Sequence, residues 1–300
     1  MLVIYKSTLE GKMEMQANIT HNSWLHLVKP TANEIDYVVE ELAIPRDFII
    51  DSLDHEERPR IEQRDGAIMM VIHIPFDRED IESSRQDVKY RTIPMGIIHT
   101  KDHMLTICGE EVPFLVDFFN SEMNDSATHM KTRNTLNILN TTARAYIHSS
   151  ATIEREIGWA EAELAKSYRN REMYTLLNLN ESLIYMVTSL KQMKFTMKKI
   201  LHGDYIKRYE ADADVLDDVL IELEQAYEVT EINQANLNNV MDAYGNMIQN
   251  NVNQVLKLLA AFTIILSVPM LIASIYGMNV PIPFQDKPNA FLFVIVVTSL

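Results

Sequence analysis

Thiols are nearly absent. Cys108 is the one cysteine in 300 residues, which excludes an internal disulfide framework and a multi-thiolate zinc site and fits a reducing compartment. Basic residues are also short, with 27 Lys+Arg against 42 Asp+Glu and a net charge of −15. That balance disfavours nucleic-acid binding, which needs clustered Lys/Arg to displace counterions. It suits cations, basic partners or simple solubility. Only eight glycines are spread along the chain, and no phosphate-cradling glycine loop is formed. His55-Glu56 is followed by Pro59 where a zinc metalloprotease needs histidine, so that motif fails. The chain is therefore not expected to be an enzyme, and no catalytic residue is assigned. Met1 to Tyr5 lacks the basic flank and long apolar run of a signal peptide, so the amino-terminal bulk is expected in the cytoplasm.

Proline is absent where helices would be longest. Six of the ten prolines fall at or before Pro113, and none occurs from Phe114 to Val268. Proline breaks helix interiors, so this gap predicts long helices. Before it the pattern is mixed. Ala67 to Ile74 reads as a buried strand, and Thr92 to Thr100 and His103 to Cys108 read as two strands around a Lys101-Asp102 turn. Thr31 to Leu42 and Pro45 to Leu53 read as short helices. The expected organisation is an α/β domain over 1–123 and a helical hairpin over 124–203 that breaks near Tyr168-Arg-Asn170. A stalk helix follows over 204–257. Its apolar positions Leu216, Leu220, Leu223, Tyr227, Thr230, Gln234, Leu237, Met241, Tyr244, Ile248, Asn251 and Val255 step by 3 and 4, a heptad seam with a few polar members. Those members either control register or serve function.

The mean hydropathy of −0.09 averages away one segment. Leu258 to Tyr276 is 19 residues without a charge, about 28 Å of helix against a hydrocarbon core of roughly 30 Å. A buried soluble helix is the competing reading, and a second apolar run, Ala290 to Leu300, weakens it. The expected membrane part is a first transmembrane helix at 258–279, an outer loop at 280–289, and the start of a second helix at 290–300, inside which the chain is expected to end. Lys257, just before the first helix, fits the positive-inside rule. Asn253, Leu256, Ala260, Thr263, Ser267, Met270 and Ser274 recur at steps of 3 and 4, mostly small or polar, beside bulky Phe262, Ile265, Leu266 and Ile272. Such a stripe means either close helix packing or the wall of a pore. Pro269 is tolerable where neighbours or water satisfy the freed carbonyl.

Tyr276-Gly277-Met278-Asn279 closes the apolar run. Here the sequence resembles the CorA family of divalent-cation channels, whose signature is a Gly-Met-Asn tripeptide ending the first of two membrane helices. The tripeptide alone is a weak match. Its place after the apolar run, behind an acidic stalk and before a second apolar run makes it specific. Leu53 to Glu62, with His55, Arg58 and Pro59, also resembles the family segment before its central strand. The resemblance spans essentially the whole chain.

It implies a CorA-like funnel: a homopentamer in the cell membrane, multi-pass, with α/β domains and stalks in the cytoplasm and a two-helix membrane domain. Gly277, Met278 and Asn279 then form the outer mouth, Asn253 the inner asparagine ring, and Leu256, Ala260, Thr263, Ser267, Met270 and Ser274 the pore face between. Lys257 matches a basic position near the inner mouth. Asp218 matches the stalk member of an acidic pair that senses Mg²⁺ between subunits, and Asp77 matches its partner on the α/β domain. For both, a solvated acidic face is the plain alternative; for Asn279 it is a helix C-cap.

The function implied is Mg²⁺ conduction through an asparagine-lined pore gated by cytoplasmic Mg²⁺. One rival is the same scaffold moving Zn²⁺, Co²⁺ or Ni²⁺. Zinc-exporting relatives carry Gly-Val-Asn, so Met278 favours Mg²⁺ modestly. Another rival is a membrane-anchored coiled-coil scaffold that transports nothing. His99 and His103 are expected to straddle a strand turn, which makes a zinc pair poor.

Overall fold

The computed structural model describes residues 1–8, 13–78, 88–121, 127–166, 170–203, 205, 209–279 and 287–299. The chain divides into two compact units, 1–239 and 240–300.

The first unit is built on a seven-stranded sheet: β1 (Leu2–Ser7), β2 (Met13–Gln16), β3 (Trp24–Val28), β4 (Arg60–Arg64), β5 (Ala67–Asp77), β6 (Tyr90–His99) and β7 (Met104–Cys108), in the order β2-β1-β3-β7-β6-β5-β4. Every pairing is antiparallel except β3 with β7. The central strands explain their own place. All five residues of β7 are buried, which suits a strand covered on both faces. Cys108 ends it, and burial pushes its thiol up to about 11, so it serves packing rather than reactivity.

Period-2 alternation sorts the two faces. Leu25, Leu27, Leu105, Ile107, Met69, Val71 and Ile98 share one core with helices α1 (Ala32–Leu42) and α2 (Arg46–Asp51), through Ile35, Val38, Phe48 and Ile49. Helix α1 starts with a capping box: the Glu34 N–H donates to Thr31 Oγ1 at 3.4 Å, and the Thr31 N–H donates to Glu34 Oε2 at 2.8 Å. The end of α2 lies so close to β6 that a Cβ on Gly96 would sit 1.9 Å from Ser52 Oγ and 2.4 Å from its Cβ. Close approach, not turn geometry, explains that glycine. On the other face, Trp24 Nε1 donates to Thr106 Oγ1 at 3.0 Å and meets Phe119 of helix α3 (Pro113–Ser121) edge-on at 5.3 Å.

Helices α4 (Lys131–Lys166) and α5 (Asn170–His202) form a packed hairpin against this second face. The expected break at Tyr168-Arg169 lies outside the described residues. Leu139, Ala143, Tyr146, Ile153, Ile157, Ala160 and Leu164 are buried along α4, and Leu176, Leu179, Leu183, Met186, Leu190, Met193 and Met197 along α5. Their spacing of 3 and 4 is that of antiparallel neighbours. Polar ties fix the register. His99 Nε2 meets Thr135 Oγ1 at 2.8 Å, and His73 Nδ1 meets Ser189 Oγ at 2.8 Å.

The long helix α6 (Ala213–Tyr276) starts later than the proline and glycine pattern suggested. Asp204 lies outside the described residues, but Tyr209 is extended and a 3-10 turn over Glu210–Asp212 precedes α6. Arg133 Nη1 donates to Asp212 Oδ1 and to the Ala211 carbonyl, each at 3.2 Å, and pins this turn to α4. The seam is also rotated by one position from the expected one. Within the first unit the buried members are Val219, Leu223, Ala226, Thr230, Asn233 and Leu237. Leu223, Thr230 and Leu237 were expected, whereas Leu220, Tyr227 and Gln234 are only half-buried beside it. The physical reason is a polar lock to α4: Ser150 Oγ and Thr230 Oγ1 lie 2.7 Å apart, and Asn233 Nδ2 donates to the Ser150 carbonyl at 3.1 Å. A small Ala226 between them allows the close approach.

The second unit holds the remainder of α6 and α7 (Ala290–Ser299). The expected outer loop falls largely on 280–286, outside the described residues.

Candidate ion pathway on the long helix

Helical geometry puts Asn253, Leu256, Ala260, Thr263, Ser267, Met270 and Ser274 on one stripe, because their mean step of 3.5 stays close to the helical 3.6. All seven are exposed in the single chain. So are their bulky neighbours, with Ile265 at 63% and Leu266 at 67%. An 18-residue window of this helix is apolar enough to cross a membrane, and 0% of it is buried. Such a surface is unstable in water; lipid or other copies of the helix would have to cover it.

The polar members of the stripe are held in distinct ways. Gln249 Nε2 donates to Asn253 Oδ1 at 3.4 Å, one turn along the helix. Asn253, Leu256, Lys257 and Ala260 border a shallow concavity with Asn250 and Gln254. Thr263 Oγ1 donates to the Leu259 carbonyl at 2.8 Å, which satisfies the hydroxyl inside an apolar stretch. Thr263, Ser267, Met270 and Ser274 border a second concavity. Pro269 lies within the helix and leaves the carbonyl one turn before it without its helical donor.

At the end of α6 the last turn tightens. The Gly277 N–H donates to the Ala273 and Ser274 carbonyls at 3.0 and 3.2 Å, and the Met278 N–H donates to Ile275 at 3.2 Å. A Cβ on Gly277 would meet backbone oxygens at 3.4 and 3.6 Å, ordinary contact, and no positive φ requires glycine there. Among the described residues, nothing demands glycine at position 277. Asn279 is not among the residues with positive φ, which removes the left-handed C-cap reading of this asparagine. Both Met278 and Asn279 are exposed.

The acidic candidates sit elsewhere. Asp218 is exposed on α6, and Asp77 is exposed at the last position of β5. Asp77 opens onto a groove of about 970 Å³ that also takes in His55, Glu56, Glu110 and Glu111. Lys29 Nζ approaches Glu110 Oε2 there at 2.5 Å. The sequence reading missed these acids. They come from two separate loops, 54–59 and 109–112, and only the sheet brings them beside the end of β5. Among the described residues, no group of three or more His, Cys, Asp or Glu is close enough to hold a metal ion. A Mg²⁺ site on this chain would therefore rest on one or two carboxylates and the ion's own waters, a donor set Mg²⁺ accepts. His99 and His103 do flank the Thr100–Asp102 turn, with His99 turned to Thr135.

A sheet unit backed by a helical hairpin, with one long helix apolar enough to cross a membrane and, among the described residues, unburied over that window, is the arrangement expected of a membrane protein. Over residues 20–300 the sequence matches the family described as CorA-like Mg²⁺ transporter protein, and the chain belongs to that family. It is similar to the cobalt/magnesium transport protein CorA of Methanocaldococcus jannaschii, 23% identical over 285 residues, covering 91% of this chain and 85% of the relative. It is 22% identical to the magnesium transport protein CorA of Helicobacter pylori (strain 26695), covering 92% and 86%. The solved structure of the complete M. jannaschii CorA magnesium transporter superposes with a TM-score of 0.82 at 21% identity, covering 99% of this chain and 93% of that one. The ZntB cytoplasmic domain of Vibrio parahaemolyticus shares the fold more loosely, with a TM-score of 0.61 at 11% identity, covering 84% of this chain and 98% of that one.

Proposed function

We propose that this chain is one subunit of a homopentameric, multi-pass membrane channel for divalent cations, with Mg²⁺ as the principal cargo. The observation that carries the reading is the stripe from Asn253 to Ser274, continuous with Gly277-Met278-Asn279 and uncovered within its own chain. Five such helices packed by their small residues would hide the stripe from lipid and line a path with it, while the bulky residues and α7 face lipid and neighbouring helices.

The chemistry suits a hydrated ion. Mg²⁺ is small and gives up its waters reluctantly. Carboxamide oxygens at Asn279 and Asn253 accept hydrogen bonds from shell waters without adding the charge that would trap the ion, and conduction needs binding weak enough to release. Between them, Leu256, Ala260 and Met270 make an apolar passage, and Thr263, Ser267 and Ser274 offer hydroxyls. Lys257 sets positive charge beside the inner mouth, where its side chain can reach water.

Regulation belongs to Asp218 and Asp77 of adjacent subunits in the cytoplasm. Mg²⁺ between opposed carboxylates cancels their repulsion and favours the closed arrangement; depletion restores the repulsion. The groove beside Asp77 carries both signs of charge, Glu56, Glu110 and Glu111 with Lys29, Arg78 and Arg91, so the placement rests on the exposure of Asp77 and Asp218. The second cargo reading, Co²⁺, Ni²⁺ or Zn²⁺ on the same scaffold, draws support from the archaeal relative, a cobalt/magnesium transport protein by name. The deciding experiment is flux into liposomes carrying the protein, with the four ions compared in parallel. Mg²⁺ flux is expected. Flux of Zn²⁺ alone would reassign the cargo, and no flux of any ion would leave a scaffold.

A further inference from the structure

A cleft of about 430 Å³ lies between α4 and α5, lined by Thr152, Arg155, Glu156, Trp159, Arg171 and Thr175. Its composition departs from the rest of an acidic chain. Arg155 contacts only its own helix, with Nε donating to the Ala151 carbonyl at 3.3 Å and Nη2 donating to Thr152 Oγ1 at 2.9 Å. Among the described residues, neither Arg155 nor Arg171 has a carboxylate partner. Glu156 does not answer them. Its Oε1 already accepts from Lys89 Nζ at 2.8 Å and from the Tyr90 hydroxyl at 2.6 Å. The cleft is thus locally cationic in a chain of net charge −15.

Trp159 lines the same cleft and is 60% exposed, while the other tryptophan, Trp24, is 0% exposed. An exposed indole leaves a large apolar face in water with no folding benefit. The hydroxyls of Thr152 and Thr175 donate to carbonyls of their own helices at 3.1 and 3.2 Å, so the arginines are the donors that remain for an anion. A guanidinium matches phosphate oxygens in a fork geometry, and an indole face matches a planar heterocycle. The cleft volume lies in the range of small-molecule sites, about 300–1,000 Å³. A bare phosphate or an acidic peptide would satisfy the charges and leave the indole uncovered.

We propose that this cleft binds a mononucleotide, with the base stacked on Trp159 and the phosphates held by Arg155 and Arg171. The site needs neither the pore nor the acidic pair, and its test does not read transport.

The experiment titrates the full chain in detergent with ATP in the presence of a Mg²⁺ chelator, and reads tryptophan fluorescence beside equilibrium dialysis of labelled ATP. Saturable quenching is expected, and because Trp24 is buried, Trp159→Phe removes it. Arg155→Ala and Arg171→Ala each weaken ATP binding by about tenfold, the usual cost of one charge-assisted contact. Pyrophosphate competes more weakly than ATP and gives no quench. All three positions are surface sites, so an unchanged circular-dichroism spectrum checks that the variants fold. No saturable ATP binding at millimolar concentration would overturn the proposal. So would pyrophosphate binding as tightly as ATP, ATP binding indifferent to both arginine substitutions, or vesicles of anionic phospholipid binding through these arginines where ATP does not.

Discussion

Two stretches of α6 solve the same problem in opposite ways. From Ala213 to about Leu237 the helix buries Val219, Leu223, Ala226 and Leu237 against its own chain, and polar Thr230 and Asn233 are locked to Ser150. From Leu258 to Tyr276 the residues are more apolar, yet none of the spanning window is buried. Hydrophobicity alone therefore does not mark the core of this chain. Apolar residues go inside the first unit where a partner helix comes with the chain; in the second they wait for lipid or for copies of themselves. Loss of packing should register as loss of folding in the first and as loss of assembly or flux in the second.

The largest effect expected from breaking that contrast is Trp24→Ala. The indole is fully buried between β7 and α3, and its removal should cost about 3–5 kcal/mol in denaturant unfolding of the sheet unit. Leu266→Ala, at an exposed apolar position of α6, should leave that unfolding transition unchanged. Equal shifts in both variants would erase the distinction. Gly96→Ala comes next, at about 1–3 kcal/mol, because Ser52 occupies the space. Adding Ser52→Gly should restore much of the loss, and a double variant no better than the single one would count against the steric account. Asp218→Lys should raise the internal Mg²⁺ needed for half-closure by about fivefold while the sheet unit melts normally. An unchanged closing curve would remove Asp218 from the sensor.

The smallest effect concerns pH. Burial holds His26 down at about 4, and burial with the Lys131 charge holds His99 down at about 3. The unfolded chain then binds more protons than the folded one between those values and the usual 6.5. Stability is present above that usual value and declines as pH falls through the window. His99→Gln should flatten the decline when melting is followed from pH 7 to pH 4. A slope identical to that of the parent protein would show that His99 is not buried neutral.

Much of this was legible in the sequence because it rests on local pattern. The β5, β6 and β7 strands, the hairpin helices and the membrane-length run each announce themselves by apolar periodicity and by proline placement. Strands β1 to β4 did not: β2 and β4 are short, largely uncovered edges with little alternation, β1 is only partly buried, and the short β3 is buried nearly throughout and so shows no period. Helix α3 did not either, because its run of Phe118 and Phe119 follows tertiary packing on Trp24. The one-position rotation of the α6 seam escaped for a related reason: Ala226 and Asn233 look like poor core residues until Ser150 is placed opposite them. The stripe from Asn253 to Ser274 was readable as a pattern, but one helix alone does not distinguish lining from packing. The acids around Asp77 were unreadable, because two loops far apart in sequence meet only beside the end of β5.

Everything functional rests on the exposed face of α6 ending at Asn279. The direct measurement is Mg²⁺ flux into liposomes carrying the parent protein or Asn279→Ala, at matched amounts of assembled protein. The pore account predicts that the parent conducts and that Asn279→Ala loses nearly all flux while its oligomer persists. Undiminished flux through Asn279→Ala would contradict it.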